Sequence, residues 1–212
     1  MYKKLAGLLA VLTAGLFWVG SASAQITGSA HDLQAELTIT EICVVCHAPH
    51  DNQNANGDLL WNHDPSTNVG SFTVYDSPTL DSAAGQPSST SILCLGCHDG
   101  TAAVDSYGGV TGTLLVNNAA FGGDESLFGS ELGNDHPVGL TYDPVADTEL
   151  NAIATAVTFA DASTGTIDDM LEGTSVECSS CHDVHDTVSN GGDRLLVVDN
   201  AASGLCTTCH AK

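Results

Sequence analysis

The eight residues CVVCHAPH, from Cys43 to His50, hold two cysteines and two histidines. The chain has eight cysteines, and all of them fall in four frames of this form: Cys43, Cys46 and His47; Cys94, Cys97 and His98; Cys178, Cys181 and His182; Cys206, Cys209 and His210. Two thiols one helical turn apart can add to the two vinyl groups on one edge of a porphyrin. The adjacent histidine then turns under the ring to ligate iron, so C-x-x-C-H is the attachment signature of c-type haem. Half a zinc site or a redox disulfide also uses C-x-x-C, but neither requires a histidine directly afterwards. No cysteine is left over. The frames predict four covalent haems, with His47, His98, His182 and His210 as the proximal iron ligands.

An iron devoted to electron transfer needs a sixth ligand as well. Five histidines lie outside the frames: His31, His50, His63, His136 and His185. Met170 is the one methionine besides Met1, and its setting, DDMLEG, suits packing under a short helix better than ligation. Five imidazoles for four irons favour bis-histidine ligation throughout, and haems without a methionine ligand are low-potential carriers. His50 and His185 stand in matching places, CVVCHAPH and CSSCHDVH, three residues past a proximal histidine. Each is too close to return to the same iron, yet can reach a stacked neighbour. Pro137 favours an extended backbone at His136, which lets that side chain project from a loop. His31 lies near the start of the mature chain, where a metal bond would fasten an end that is normally loose. His63, in LLWNHD beside Trp61, is the weakest candidate, since it suits a hydrogen bond or packing on a haem edge equally well.

The elements that must position these groups are sparse. A basic start (MYKK), an apolar run and Ala22-Ser23-Ala24 read as a signal peptide over residues 1–24, cleaved before Gln25. The apolar run is shorter than the ~20 residues a spanning helix prefers. Residues 25–212 then form one domain, exported to the cell surface or beyond, with the periplasm as the alternative. Aromatics are only 5% of the chain and glycines number 22, poor material for an ordinary core. The expected fold is a mostly irregular, loop-rich multihaem cytochrome c with short helices at the frames and few short strands. A stack of four haems would form its core. Ser88, Ser89, Thr90 and Ser91 can cap a helix at the second frame. Leu150, Ile153 and Val157 give residues 148–159 a weak amphipathic helical pattern. Residues 113–116 and 195–198 read as strands. The frames begin 51, 84 and 28 residues apart, and no repeat of fixed period accompanies them.

The mature chain keeps only Arg194 and Lys212 against 26 acids. Such a surface excludes nucleic acid as a partner and resists anionic membranes. The sequence has no Gly-rich phosphate cradle, no nucleophile elbow and no N-x-S/T sequon.

Seven segments carry a more specific likeness: SAHDL, EICVVCHAPHD, LLWNHD, ILCLGCHDGTAAVDS, NDHPVGLTYD, VECSSCHDVHD and GLCTTCH. In this order, with CHAPH first and DHPVG before the third frame, they resemble the extracellular tetrahaem cytochromes of the OmcE-type nanowire family. The resemblance implies a loop-rich fold around a continuous haem chain, and one haem per subunit ligated by a histidine of the next. His50 is the expected bridging residue in that head-to-tail polymer. Upstream redox cytochromes and extracellular electron acceptors would be the other partners. A soluble periplasmic tetrahaem shuttle is the alternative. A multihaem reductase needs an open iron position and basic residues to gather an anionic substrate, and five spare histidines with two basic residues argue against an enzyme.

Overall fold

Short runs of β-branched residues, frequent Gly and Asp, and no long amphipathic stretch leave little here from which to build long elements. A computed structural model describes residues 26–50, 60–82, 84–121, 127–185 and 195–211, and residues 1–24, expected as a signal peptide, lie outside the described residues. Among the described residues there are three α-helices: α1 (Gln34–Leu37), α2 (Ser89–His98) and α3 (Gly204–Cys209). Single 3-10 turns cover Ala119–Phe121, Ile167–Met170, Cys178–Ser180 and Ala201–Ser203. The strands are β1 (Leu140–Thr141), β2 (Ala156–Thr158), β3 (Thr164–Thr166) and β4 (Ser175–Val176). They make two antiparallel pairs, β1 with β4 and β2 with β3, the second registering Val157 opposite Gly165. No described helix is long and apolar enough to cross a membrane.

Segment 84–86 extends the β1–β4 pair: Ala84 bridges Leu140, and the Gly85 amide donates to the Gly139 carbonyl at 2.9 Å. Gly139 is required there. Its φ is +71°, and a Cβ on it would meet the Gln86 carbonyl oxygen at 2.5 Å. This contact ties the segment that carries His136 to the one that leads into α2.

Among the described residues, two small apolar clusters form. One gathers Tyr142, Val157, Ile167, Met170, Val176 and Val198, with Leu205 and Cys209 packed against it. The other joins Phe72, Ile92, Leu95 and Leu132. Each cluster sits beside a frame, the first at α3 and the second on α2. Met170 is buried in the first cluster, under the 3-10 turn that ends with it. A capping box between Thr166 and Asp169 starts that turn.

Three expected elements differ. Residues 148–159 do not form a helix. Leu150 is drawn out to bridge His210, Ile153 is exposed, and Val157 enters the β2–β3 hairpin. Residues 113–116 form no strand, because the Asp105 carboxylate accepts the Thr113 and Leu114 amides at 2.8 and 2.7 Å. Residues 195–198 supply a single bridge, Leu196 to His182, rather than a strand.

Candidate haem-binding site

The four frames share a local build. In the first, third and fourth, the histidine amide donates to the carbonyl of the first cysteine: His47 to Cys43 (2.9 Å), His182 to Cys178 (3.0 Å) and His210 to Cys206 (2.9 Å). That bond closes one helical turn and sets the two cysteines on one flank. The second frame is the end of α2 itself.

A tripeptide brackets three of these turns in an identical hydrogen-bond pattern. Beside the first frame, the Ala48 amide donates to Leu60 O and the Asn62 amide to Cys46 O. Beside the third, Asp183 donates to Leu195 O and Val197 to Cys181 O; beside the fourth, Ala211 donates to Glu149 O and Asn151 to Cys209 O. The frame histidine is thus bridged to Trp61, Leu196 or Leu150. These brackets were missed in the sequence reading. A signal for two of them exists: C-x-x-C-H-x-x-H-D runs on to G-D-x-L in both cases, with Gly57, Asp58 and Leu60 matching Gly192, Asp193 and Leu195 at a constant offset of 135 residues. The first and third frames are therefore copies of one unit, and the expectation of no repeat beyond the motif is corrected.

The hydroxyl run before the second frame does not cap α2. Ser88 occupies the N-cap position without a capping bond. Its hydroxyl donates to the Glu177 carboxylate at 2.7 Å instead. Thr90 donates to Glu172, Ser179 donates to Glu172 at 2.6 Å, and the Cys178 amide donates to the fully buried Ser91 hydroxyl at 2.8 Å. Burial would raise Glu172, but hydrogen bonds from Ser179, Ser89 and Thr90 bring it below its ordinary value. The hydroxyls thus fasten the third frame to the second.

Three frame histidines face histidines from outside the frames. His31 and His98 have ring centres 6.0 Å apart with planes at 59°. His47 and His185 stand at 6.1 Å and 15°, and His136 and His210 at 6.3 Å and 71°. The fourth frame histidine, His182, lies within electrostatic reach of His31. His63 is 2% exposed, with its ring against Trp61 and Tyr107 and bonded to the backbone of Ser106 and Val45. His50 is on the surface.

The thiols also form a sequence of neighbours. Cys46 is close enough to Cys97 to act on its charge, Cys94 and Cys178 hydrogen-bond each other, and Cys181 feels both Cys209 and Cys206. All eight cysteines are free. Burial pushes Cys46 and Cys181 up to about 11 and Cys97 up to about 12. No three His, Cys, Asp or Glu side chains among the described residues converge as a zinc site demands.

This donor set fits c-type haem. The His31 Nδ1 is buried with no hydrogen-bond partner, and burial, then His98 and His182, holds the imidazole down to about 4. At neutral pH it is an uncharged lone-pair donor, as an iron ligand must be.

Among known families, the doubled CXXCH motif matches residues 172–212, the stretch that holds the third and fourth frames. No curated protein matches the chain. Paired frames of this kind indicate a multihaem c-type cytochrome, a class built for electron transfer.

Proposed function

We propose that the chain is a tetrahaem c-type cytochrome with bis-histidine irons, and that it is the protomer of an extracellular conductive filament. The observation that carries the electron-transfer reading is the run of neighbouring thiols, from Cys46 and Cys97 through Cys94 and Cys178 to Cys181 and Cys209. Haems joined at those positions would have adjoining edges, a continuous path through the protein. Each haem iron supplies one reversible electron. The protein's part is to fix the porphyrins against one another, through the hydroxyl–carboxylate contacts between α2 and the third frame, and to bury them.

The filament reading is supported by the order of the seven segments and by the surface position of His50. An iron ligand contributed head-to-tail repeats without closing and so builds a fibre. The N-terminal sequence supports export, which haem attachment to such a chain also requires. The test is imaging of purified, haem-loaded protein with its intact mass measured under denaturing conditions. Filaments, and a mass of residues 25–212 plus four haems, are expected. Single particles with four haems would move the protein to the soluble periplasmic shuttle. Fewer than four covalent haems would overturn the tetrahaem reading.

A further inference from the structure

We infer that three of the irons draw their distal ligands from within the same chain: His185 for the haem on Cys43 and Cys46, His31 for the haem on Cys94 and Cys97, and His136 for the haem on Cys206 and Cys209. The inference rests on the tetrahaem reading above and assigns the sixth ligand at each of these sites. Two imidazoles bound on opposite sides of one metal, each at about 2 Å, place their ring centres about 6 Å apart. The three observed pairs stand at 6.0, 6.1 and 6.3 Å. Each pair joins one frame histidine to one outside the frames, across 67 to 138 residues of chain. Chain connectivity does not impose any of them.

The free faces of the imidazoles agree. The His136 Nδ1 lies 3.2 Å from the Pro137 carbonyl, a bond that puts the proton on Nδ1 and the lone pair on Nε2. The His185 Nδ1 faces the Asp183 carboxylate at 3.8 Å, which favours the same tautomer. His63, by contrast, has its ring contacts with Trp61 and Tyr107 and is held by backbone groups of Ser106 and Val45, so it braces the first frame's bracket.

The pairs differ in a way a spectrum can read. The planes of His47 and His185 are near-parallel at 15°, whereas the other two pairs are crossed at 59° and 71°. Near-parallel imidazoles give low-spin ferric haem a rhombic paramagnetic resonance spectrum; crossed ones give a signal dominated by one large g value. The first haem therefore carries the rhombic signal, and the second and fourth carry large-g signals.

The experiment is paramagnetic resonance and near-infrared spectroscopy on the native assembly and on His185→Ala, His31→Ala and His136→Ala, each with its haem count by mass. Each variant should keep four haems and convert one low-spin iron to high-spin, restored by added imidazole. Only His185→Ala should lose the rhombic signal. Four haems with no change in spin state, or loss of the rhombic signal in His31→Ala or His136→Ala instead, would overturn the pairing and leave the tetrahaem reading intact. Should a variant fail to fold, the unaltered protein still decides: a spectrum with no rhombic component sinks the assignment. A haem count below four is the separate failure of the function proposed above.

Discussion

At the residue scale, the joint between the second and third frames rests on a buried carboxylate. Glu177 is 1% exposed and accepts the Ser88 hydroxyl at 2.7 Å and the Ser88 amide at 3.3 Å. Glu177→Ala removes the buried charged acceptor of both bonds, and the expected loss is about 1–3 kcal/mol of stability. Glu177→Gln keeps an oxygen acceptor and should cost less. Thermal unfolding of the haem-loaded variants measures both, and equal stability of Glu177→Ala and the parent would show that the joint bears no weight. The companion residue, Glu172, sets a pH dependence. Its folded-state value is depressed below the ordinary 4.5 by hydrogen bonds that outweigh burial. A depressed carboxyl stabilises the fold fully above its unfolded value and ceases to do so as pH falls through the folded one. Stability should therefore decline below pH 4.5, with a shallower decline in Glu172→Gln. Cysteines and frame histidines were legible in the sequence because haem attachment fixes their spacing over five residues. The hydroxyls of Ser88 to Ser91 were legible as polar partners, but their true partners lie more than 80 residues away, beyond any local pattern.

At the element scale, backbone demand from the frames overrides local propensity. Residues 148–159 carry apolar positions at helical spacing, yet the fourth frame needs an extended strip to bond Cys209 and Ala211. Residues 149–151 supply that strip, and the β-branched Val157 and Thr158 complete a hairpin instead. The periodicity was real; tertiary pairing won. The strands expected at 113–116 and 195–198 failed for a related reason, since a carboxylate or a frame turn takes the hydrogen bonds that a partner strand would take. Asn151 shows how such a bracket works. Its amide donates to Cys209 O, and its side-chain Nδ2 donates to the carbonyls of Thr207 and Thr208 at 3.1 and 3.0 Å. Those are carbonyls of the last turn of α3, which the helix itself leaves without partners. The Tyr142 hydroxyl joins them, donating to Asn151 O at 2.8 Å and to Cys209 O at 3.1 Å. Asn151→Ala should cost about 1–2 kcal/mol, and Tyr142→Phe about 1 kcal/mol, both measurable by denaturant unfolding. Because the two residues share a site, the double variant should fall short of the sum. Strict additivity would mean that bracket and hydroxyl act independently.

At the scale of the whole molecule, the duplicated unit gives His50 a place. His185 belongs to the second copy of the unit and stands against His47 of the first copy. His50 is the matching residue of the first copy, 135 residues earlier, and it lies on the surface. In a polymer, the relation that joins one unit to the other within the chain recurs between chains, and His50 would meet an iron of the adjoining subunit. Pro49 restricts the backbone before it and so presents the imidazole in a defined direction. Little else on the surface could replace that bond. The 26 acids vastly outnumber the four Lys and Arg residues, so copies of the chain repel one another, and the exposed large apolar residues such as Val110 and Val145 are scattered along the chain. His50→Ala should therefore keep four covalent haems by mass, leave one iron per subunit high-spin, and abolish filaments on micrographs. It should leave the rhombic signal of the first haem untouched, because that iron depends on His185. High salt should not rescue assembly in this variant, since screening removes repulsion but supplies no ligand. Normal filaments with four low-spin irons would transfer the bridging role away from His50.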